Sequence, residues 1–289
     1  MVPVDPVTVS QLSRGARQAG RIQSPSSILT YKQCPRKYYY RYIARLPSGT
    51  SIHLIRGSIA HKVMEGIYDV DLNHIPDTAF LPTLRVVLQE KLRREWENAS
   101  ADLASLGLSD EDLGAYYDET RVMVNNFYHW LVDRMRDLHP SDLKEAFRMA
   151  KPLREVELLS ERHGVRGYAD AIHQENGKVV ILDYKTSNKA EITPEYRLQL
   201  SIYGMLYEER ERLPDEVGIL FLKFGTEQRL PVTQSMVATA KLEVADVREK
   251  TTSVRIDDYP KREGPLCKWS TGQCDYYGHC FSLVQIGKR

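Results

Sequence analysis

Two aspartates and a lysine stand where β-structure would bring them together. The run KVVILDY, Lys178 to Tyr184, reads as a strand, and Val165 to Gln174 reads as its neighbour. Between them Asn176-Gly177 is a strong signal for a two-residue hairpin turn. That turn pairs Glu175 with Lys178 and, carried along the ladder, sets Asp170 opposite Asp183, with Cβ atoms about 4.5–5.5 Å apart on one face. Lys185, two residues past Asp183, projects from the same face. Carboxylates so close repel unless a cation lies between them or one keeps its proton. Such oxygen ligands suit Mg²⁺ or Mn²⁺, ions that retain waters and bind phosphate oxygens. A lysine beside the ion would stabilise an attacking water or help deprotonate it. If His163-Gly164 closes the preceding hairpin in the same way, Glu157 falls opposite Asp170 as an accessory acid. His61 would complete the ion's shell, contact nucleic acid or serve as a structural histidine. Gln199 and Tyr203, at i and i+4, share a helix face downstream. They would position the lysine or the nucleic acid, or simply pack.

The elements that must position these groups follow from periodicity. Leu153 to Ser160 reads as another strand, and helices at about 194–211 and 233–250 flank an apolar strand from Val217 to Phe224. The fold class is therefore α/β, a mixed β-sheet flanked by helices. A helix over 56–70 carries Gly57, His61 and Glu65 on one face. Helical stretches at 81–98 and 111–138 make an insertion over about 75–145, ahead of a core over about 150–230. Ser24-Pro25 starts a helix that Pro35 ends at Cys34, and Pro35 opens a second one. Residues 1–23 have little periodicity and are expected to form a mobile basic tail, with 24–289 as a single domain.

The net charge of +1 conceals an asymmetry. From Pro6 to Met64 there are ten basic residues and no acid, which leaves the chain from Glu65 onward at −8. Tyr31, Tyr38, Tyr39, Tyr40 and Tyr42 lie among the basic residues. Rings beside cations suit single-stranded nucleic acid, whose bases stack and whose phosphates pair with Arg or Lys. Arg36, Lys37, Tyr38 and Arg41 are thus candidate contacts, the alternative being a solvated helix face with buried tyrosines. Cys34 stands alone, while Cys267, Cys274 and Cys280 cluster in a C-terminal segment (about 262–282) rich in turn formers. Four thiolates suit tetrahedral Zn²⁺ or an iron–sulfur cluster, or else they are unconnected. A shared metal would clasp the two ends of the chain together and link its loss to unfolding. No apolar run approaches the roughly 20 residues of a membrane span, and the N-terminus lacks a secretion signal. The expected location is cytoplasmic.

Together these residues resemble the RecB-like, iron–sulfur branch of the PD-(D/E)XK nucleases, which includes the CRISPR-associated adaptation nucleases. The matching segments, in the family's order, are CPRKYYYRYI from Cys34, GSIAH ending at His61, GYAD ending at Asp170, LDYKT with Asp183 and Lys185, QLSIY from Gln199 to Tyr203, and the cysteine triplet. Ala169 departs from the proline of the superfamily's name. The resemblance implies a restriction-endonuclease-like core in which His61, Asp170, Asp183 and the backbone carbonyl of Tyr184 bind the divalent ion and Lys185 assists catalysis. It implies a [4Fe–4S] cluster on Cys34, Cys267, Cys274 and Cys280, an iron–sulfur clasp joining the N- and C-terminal regions. It further implies a DNA nuclease, commonly an exonuclease on single strands, with Gln199 and Tyr203 near the DNA. The rival is an inactive nucleic-acid-binding or scaffold protein of the same fold, and the intact Asp, Asp, Lys set argues against it. No GxxxxGK(S/T) phosphate loop is present, so a helicase partner, like CRISPR adaptation proteins, would be a separate chain.

Overall fold

A computed structural model describes residues 21–71, 74–139, 141–270 and 272–281. Residues 1–20, most of the expected tail, lie outside the described residues. The chain divides into two compact units. One comprises the chain up to Ser48, Leu159–Gly167 and the chain from Ala238 onward; the other comprises Gly49–Leu158 and Tyr168–Val237. Among the described residues no helix is long and apolar enough to cross a membrane.

The first unit holds the four cysteines. Helix α1 (Pro25–Gln33) starts at a capping box on Ser24 with Pro25 behind it, as the sequence suggests. Cys34 is extended, and Pro35 opens the short α2 (Pro35–Tyr38), which runs into a π-helical turn over Tyr39–Ile43. Gln23 belongs to the folded structure, which corrects the expected end of the tail. It is 1% exposed, its backbone N–H donates to the Gly164 carbonyl, and its side-chain amide donates to Tyr38 Oη and Thr251 Oγ1 at 2.9 and 3.0 Å.

The second unit supplies the sheet and its helical layer. Helices α3 (Ile52–Gly66), α4 (Asp77–Asn98), α5 (Ser100–Ala104), α6 (Asp110–Leu138) and α7 (Leu143–Ala150) precede the strands. The strands β1 (Leu153–Ser160), β2 (Val165–Glu175), β3 (Lys178–Lys185), β4 (Glu216–Phe221) and β5 (Thr226–Pro231) lie side by side in that order. The β3–β4 pair is parallel, and β2–β3 and β4–β5 are antiparallel, so the sheet is mixed as expected. Asn176 (φ 50°) and Gly177 (φ 80°) both take the left-handed backbone that a tight hairpin needs, and Glu175 pairs with Lys178. β3 is apolar in its middle because it is central: Val180, Ile181 and Leu182 are wholly buried. Its parallel partner β4 requires a crossover, supplied by α8 (Pro194–Arg210), which Thr193 caps. The chain continues into α9 (Gln234–Lys250).

The helical insertion is part of the core. Phe80, Leu84, Leu88 and Leu92 of α4 and Met123, Val124, Phe127 and Leu131 of α6 share one buried cluster with Ala171, Val180, Leu182 and Leu220 of the sheet. α3 contributes Ile55, Ile59, Val63 and Met64 to the same cluster, which fixes its opposite face toward the ends of β1–β3.

Candidate active site

The β2–β3 ladder follows the register read from sequence as far as Ala171–Leu182 and then opens. One step further Asp170 would face Asp183. There the Tyr184 backbone N–H is taken by the Asp170 carboxylate instead, with Oδ2 accepting at 2.7 Å. Opening the ladder at this point turns a strand residue into a fixed, outward-facing acid.

His61 reaches the same place from α3. Its Nε2 donates to the Tyr184 carbonyl at 2.9 Å, and its Nδ1 lies 3.4 Å from Asp170 Oδ1. Burial works against a charged ring here. The hydrogen bond to Asp170 and the charges of Asp170 and Asp183 overcome it and raise the His61 pKa to about 9. In the ion-free site His61 is therefore an imidazolium at neutral pH, donating from both nitrogens. The Tyr184 carbonyl, expected as an ion ligand, is in this state the acceptor for that ring.

The acid that the structure brings beside Asp170 is Glu155, where the sequence reading placed Glu157. The turn between β1 and β2 occupies 161–164, two residues longer than a His163-Gly164 hairpin, so the register moves by two. Glu157 now meets Tyr168, whose hydroxyl donates to its Oε1 at 3.1 Å. Glu155 carries a left-handed φ of 47° within β1, a kink that re-aims its side chain. One ligand atom each from His61, Glu155 and Asp170 lie within 4.8 Å of one another. Burial, and then the negative charges of Asp170 and Glu65, raise the Glu155 pKa.

Asp183 and Lys185 lie beside this trio. Lys185 Nζ is 2.6 Å from Asp183 Oδ2, yet that buried oxygen has no aligned hydrogen bond. Asp183 Oδ1 accepts from Gln199 Nε2 at 2.9 Å, and Gln199 also donates to Tyr203 Oη at 3.2 Å. Burial pushes the Asp183 pKa up, Lys185 pulls it back and Asp170 pushes it up again. Lys185 stays above its ordinary value because the neighbouring carboxylates outweigh its burial. Gln199, which also donates to Tyr203, thus holds Asp183. Tyr203 is 5% exposed, which fits packing, one of the roles the sequence leaves open for it.

These groups line an open cleft. One wall is the exposed face of α3, with Leu54, Gly57, His61 and Glu65; the other comprises Glu155, Asp170, Lys185 and Thr186. The donor set fits a hard divalent ion: carboxylate oxygens of Glu155 and Asp170 and one imidazole, His61.

In the cysteine-bearing unit the expected nucleic-acid contacts divide. Tyr38 is wholly buried, its ring stacked on Tyr259 with centroids 6.1 Å apart, so it is a core residue and not a platform for bases. Arg36 Nε donates to the Tyr259 carbonyl at 2.7 Å, and Lys37 Nζ donates to Gln33 Oε1 at 2.9 Å. Arg41 is exposed beside the Tyr42 ring. Cys34, Cys267, Cys274 and Cys280 all line one small cavity. Among the described residues no three of these thiols come within 4.8 Å of one another. A single zinc ion, with Zn–S bonds of about 2.3 Å, would hold all four at about 3.8 Å spacing.

Comparison with known proteins fits this geometry. The family model of the PD-(D/E)XK nuclease superfamily matches residues 23–281. No curated protein matches the sequence. A solved structure from Eubacterium rectale, of a protein provisionally called an exonuclease, shares 13% identity and a TM-score of 0.51, covering 100% of this chain and 96% of that one. At that identity it shows likeness of fold alone. The solved structure of SSO0001, 19% identical over 68% of this chain and 85% of its own, has a TM-score of 0.28 and carries no argument.

Proposed function

The chain belongs to the PD-(D/E)XK nuclease superfamily, and from that premise we infer that it is a divalent-ion-dependent deoxyribonuclease that shortens single strands from an end. The observation that carries the reading is the meeting of His61, Glu155 and Asp170 within 4.8 Å, beside the Asp183–Lys185 pair. His61, Asp170, Glu155 and Asp183 would hold the ion, with Mg²⁺ or Mn²⁺ suited to the oxygen-rich set. The Tyr184 carbonyl would join them only where the His61 Nε2 proton that it accepts is released. The ion, when bound, supplies Lewis-acid stabilisation of charge on the scissile phosphate.

The chain's own groups do the rest. Asp170 is oriented by the Tyr184 N–H and Asp183 by Gln199, so neither carboxylate must reorganise when substrate arrives. Lys185 is an ammonium at neutral pH. Beside the carboxylates of Asp183 and Asp170 its charge is favoured, and it is placed to stabilise negative charge on the phosphate or on the attacking oxygen. The basic N-terminal stretch, through Arg41 and its neighbours, would add phosphate contacts that weaken as salt rises.

The proposal includes the RecB-like, iron–sulfur branch of the superfamily. The shared cavity of Cys34, Cys267, Cys274 and Cys280 supports it. A cluster there would clasp α1 and α2 to the C-terminal segment within one unit.

The test is cleavage of end-labelled DNA by the wild type and by Asp170→Ala, Asp183→Ala and Lys185→Ala. In Mn²⁺ the wild type should shorten linear single strands, spare circular ones and act poorly on duplex or RNA, while the folded variants are inert. Full activity of Asp183→Ala, or a wild type inert on every substrate, overturns the enzyme. Anaerobically purified protein should be brown with a broad visible band; a colourless protein with stoichiometric zinc overturns the cluster.

A further inference from the structure

We propose that the outward face of α3 is the track along which the substrate strand runs, with Gly57 the point where its sugar–phosphate backbone passes closest. This rests on the nuclease reading of the cleft and adds to it a path for the substrate. α3 buries one side in the core and turns Leu54, Gly57, His61 and Glu65 toward the cleft.

Glycine inside a helix is destabilising relative to alanine, and the protein's own packing gives no reason for one at position 57. Its φ is not left-handed, and a Cβ built there would meet one atom within 4 Å, Thr186 Oγ1 at an ordinary 3.8 Å. Gly218 is the contrast: a Cβ there would press to 2.6 Å from the Gln228 carbonyl oxygen, so packing demands glycine. At Gly57 the methyl would stand in the cleft and touch its opposite wall, one helical turn before His61. The space left by the missing side chain lies about 6 Å along the axis from the imidazole. That is where a chain passing over the ion-binding groups must run.

Leu54 extends the track outward. It is 64% exposed, an apolar side chain at the mouth of a polar cleft. It stands about 10 Å along the helix from His61, the length of about three stacked nucleotides. An apolar group at that distance packs against the face of a base without reading its identity, as sequence-tolerant strand binding requires.

The experiment compares Gly57→Ala, Leu54→Ala and a control, Gly114→Ala, at a helical glycine of α6 with nothing within 4 Å of the added methyl. Cleavage is followed in Mn²⁺. Binding of fluorescent oligodeoxythymidylate is followed by anisotropy with Ca²⁺ in place of Mn²⁺. Both glycine variants should raise Tm by about 2 °C. Gly114→Ala should keep KM and Kd, while Gly57→Ala raises both about tenfold. Leu54→Ala should weaken strands of four or more nucleotides and leave dinucleotides unaffected. Unchanged Kd in Gly57→Ala, or a fall in its Tm, overturns the track. A wild type that binds the strand but cleaves nothing, with Gly57→Ala still weakening the binding, overturns the nuclease and upholds the track.

Discussion

Proton and divalent ion compete for His61, and the competition has a worked size. In the ion-free protein the ring lies between Asp170 Oδ1 and the Tyr184 carbonyl, and its pKa rises from 6.5 to about 9. That rise corresponds to about 3 kcal/mol, reduced by solvent at a part-exposed ring to about 2 kcal/mol. Folding raises this pKa, so the stabilisation is complete below pH 6.5 and is lost as pH climbs through 9. Ion binding has the opposite slope. The ligand must be the neutral ring, so between pH 6.5 and 8.5 affinity for Mn²⁺ should rise about tenfold per pH unit. Guanidinium denaturation of chelated protein at pH 6.5 and 9.5 measures the first effect, and calorimetric Mn²⁺ titration across the range measures the second. His61→Ala should flatten both. An Mn²⁺ affinity equal at pH 6.5 and 8.5 in the wild type, or a slope that survives in His61→Ala, refutes the assignment of the ring as a ligand.

Three further outcomes are expected. Gln199→Ala removes the donor to Asp183 Oδ1 and should lower single-turnover cleavage about 10–100-fold for about 1 kcal/mol of stability; an unchanged rate shows that Lys185 alone orients the acid. Glu155→Gly relieves a left-handed φ of 47°, worth about 1 kcal/mol, together with repulsion from Asp170. Chelated Glu155→Gly should therefore be more stable than wild type in urea yet bind Mn²⁺ more weakly, and a loss of stability contradicts the strain. On the proposed cluster, Cys34→Ser should remove the visible absorption band and lower the melting temperature, since Cys34 sits where α1 passes into α2; a variant as coloured and as stable as wild type removes Cys34 from the proposed ligand set.

What the sequence revealed and what it hid divide along physical lines. The Asn176-Gly177 turn needs left-handed backbone at both residues, a demand few dipeptides meet, so the β2–β3 register was legible. With it came Asp170, Asp183 and Lys185. The β1–β2 turn carries no such demand. Its length was therefore open, and an error of two residues exchanged Glu155 for Glu157. The kink at Glu155 has no sequence signal either, because glutamate is a poor residue for positive φ. β5 was missed because TEQRLP neither alternates nor is apolar. Its Arg229 is accommodated by Glu175 and Glu216, each at 3.1 Å, partners distant in sequence. Among the tyrosines, composition suggested base stacking, whereas burial decided the role of Tyr38. Periodicity in a four-residue helix is too short to say which face is covered.

The charges in the cleft explain why the site sits at an opened ladder rather than within one. Glu155, Asp170 and Asp183 gather around two cations, His61 and Lys185, so the ion-free site carries an excess of negative charge in partly buried surroundings. Each aspartate is divided in the same way. Asp170 has Oδ2 fixed by the Tyr184 N–H and Oδ1 turned to His61; Asp183 has Oδ1 fixed by Gln199 and Oδ2 without a hydrogen bond beside Lys185. One oxygen sets the orientation and the other is left for a cation. Had the ladder continued, the Tyr184 N–H would have bonded to backbone and Asp170 would have been free to rotate. Opening the strands beyond Ala171–Leu182 frees the Tyr184 N–H from the sheet, and the carboxylate that accepts from it is thereby aimed before any ion arrives.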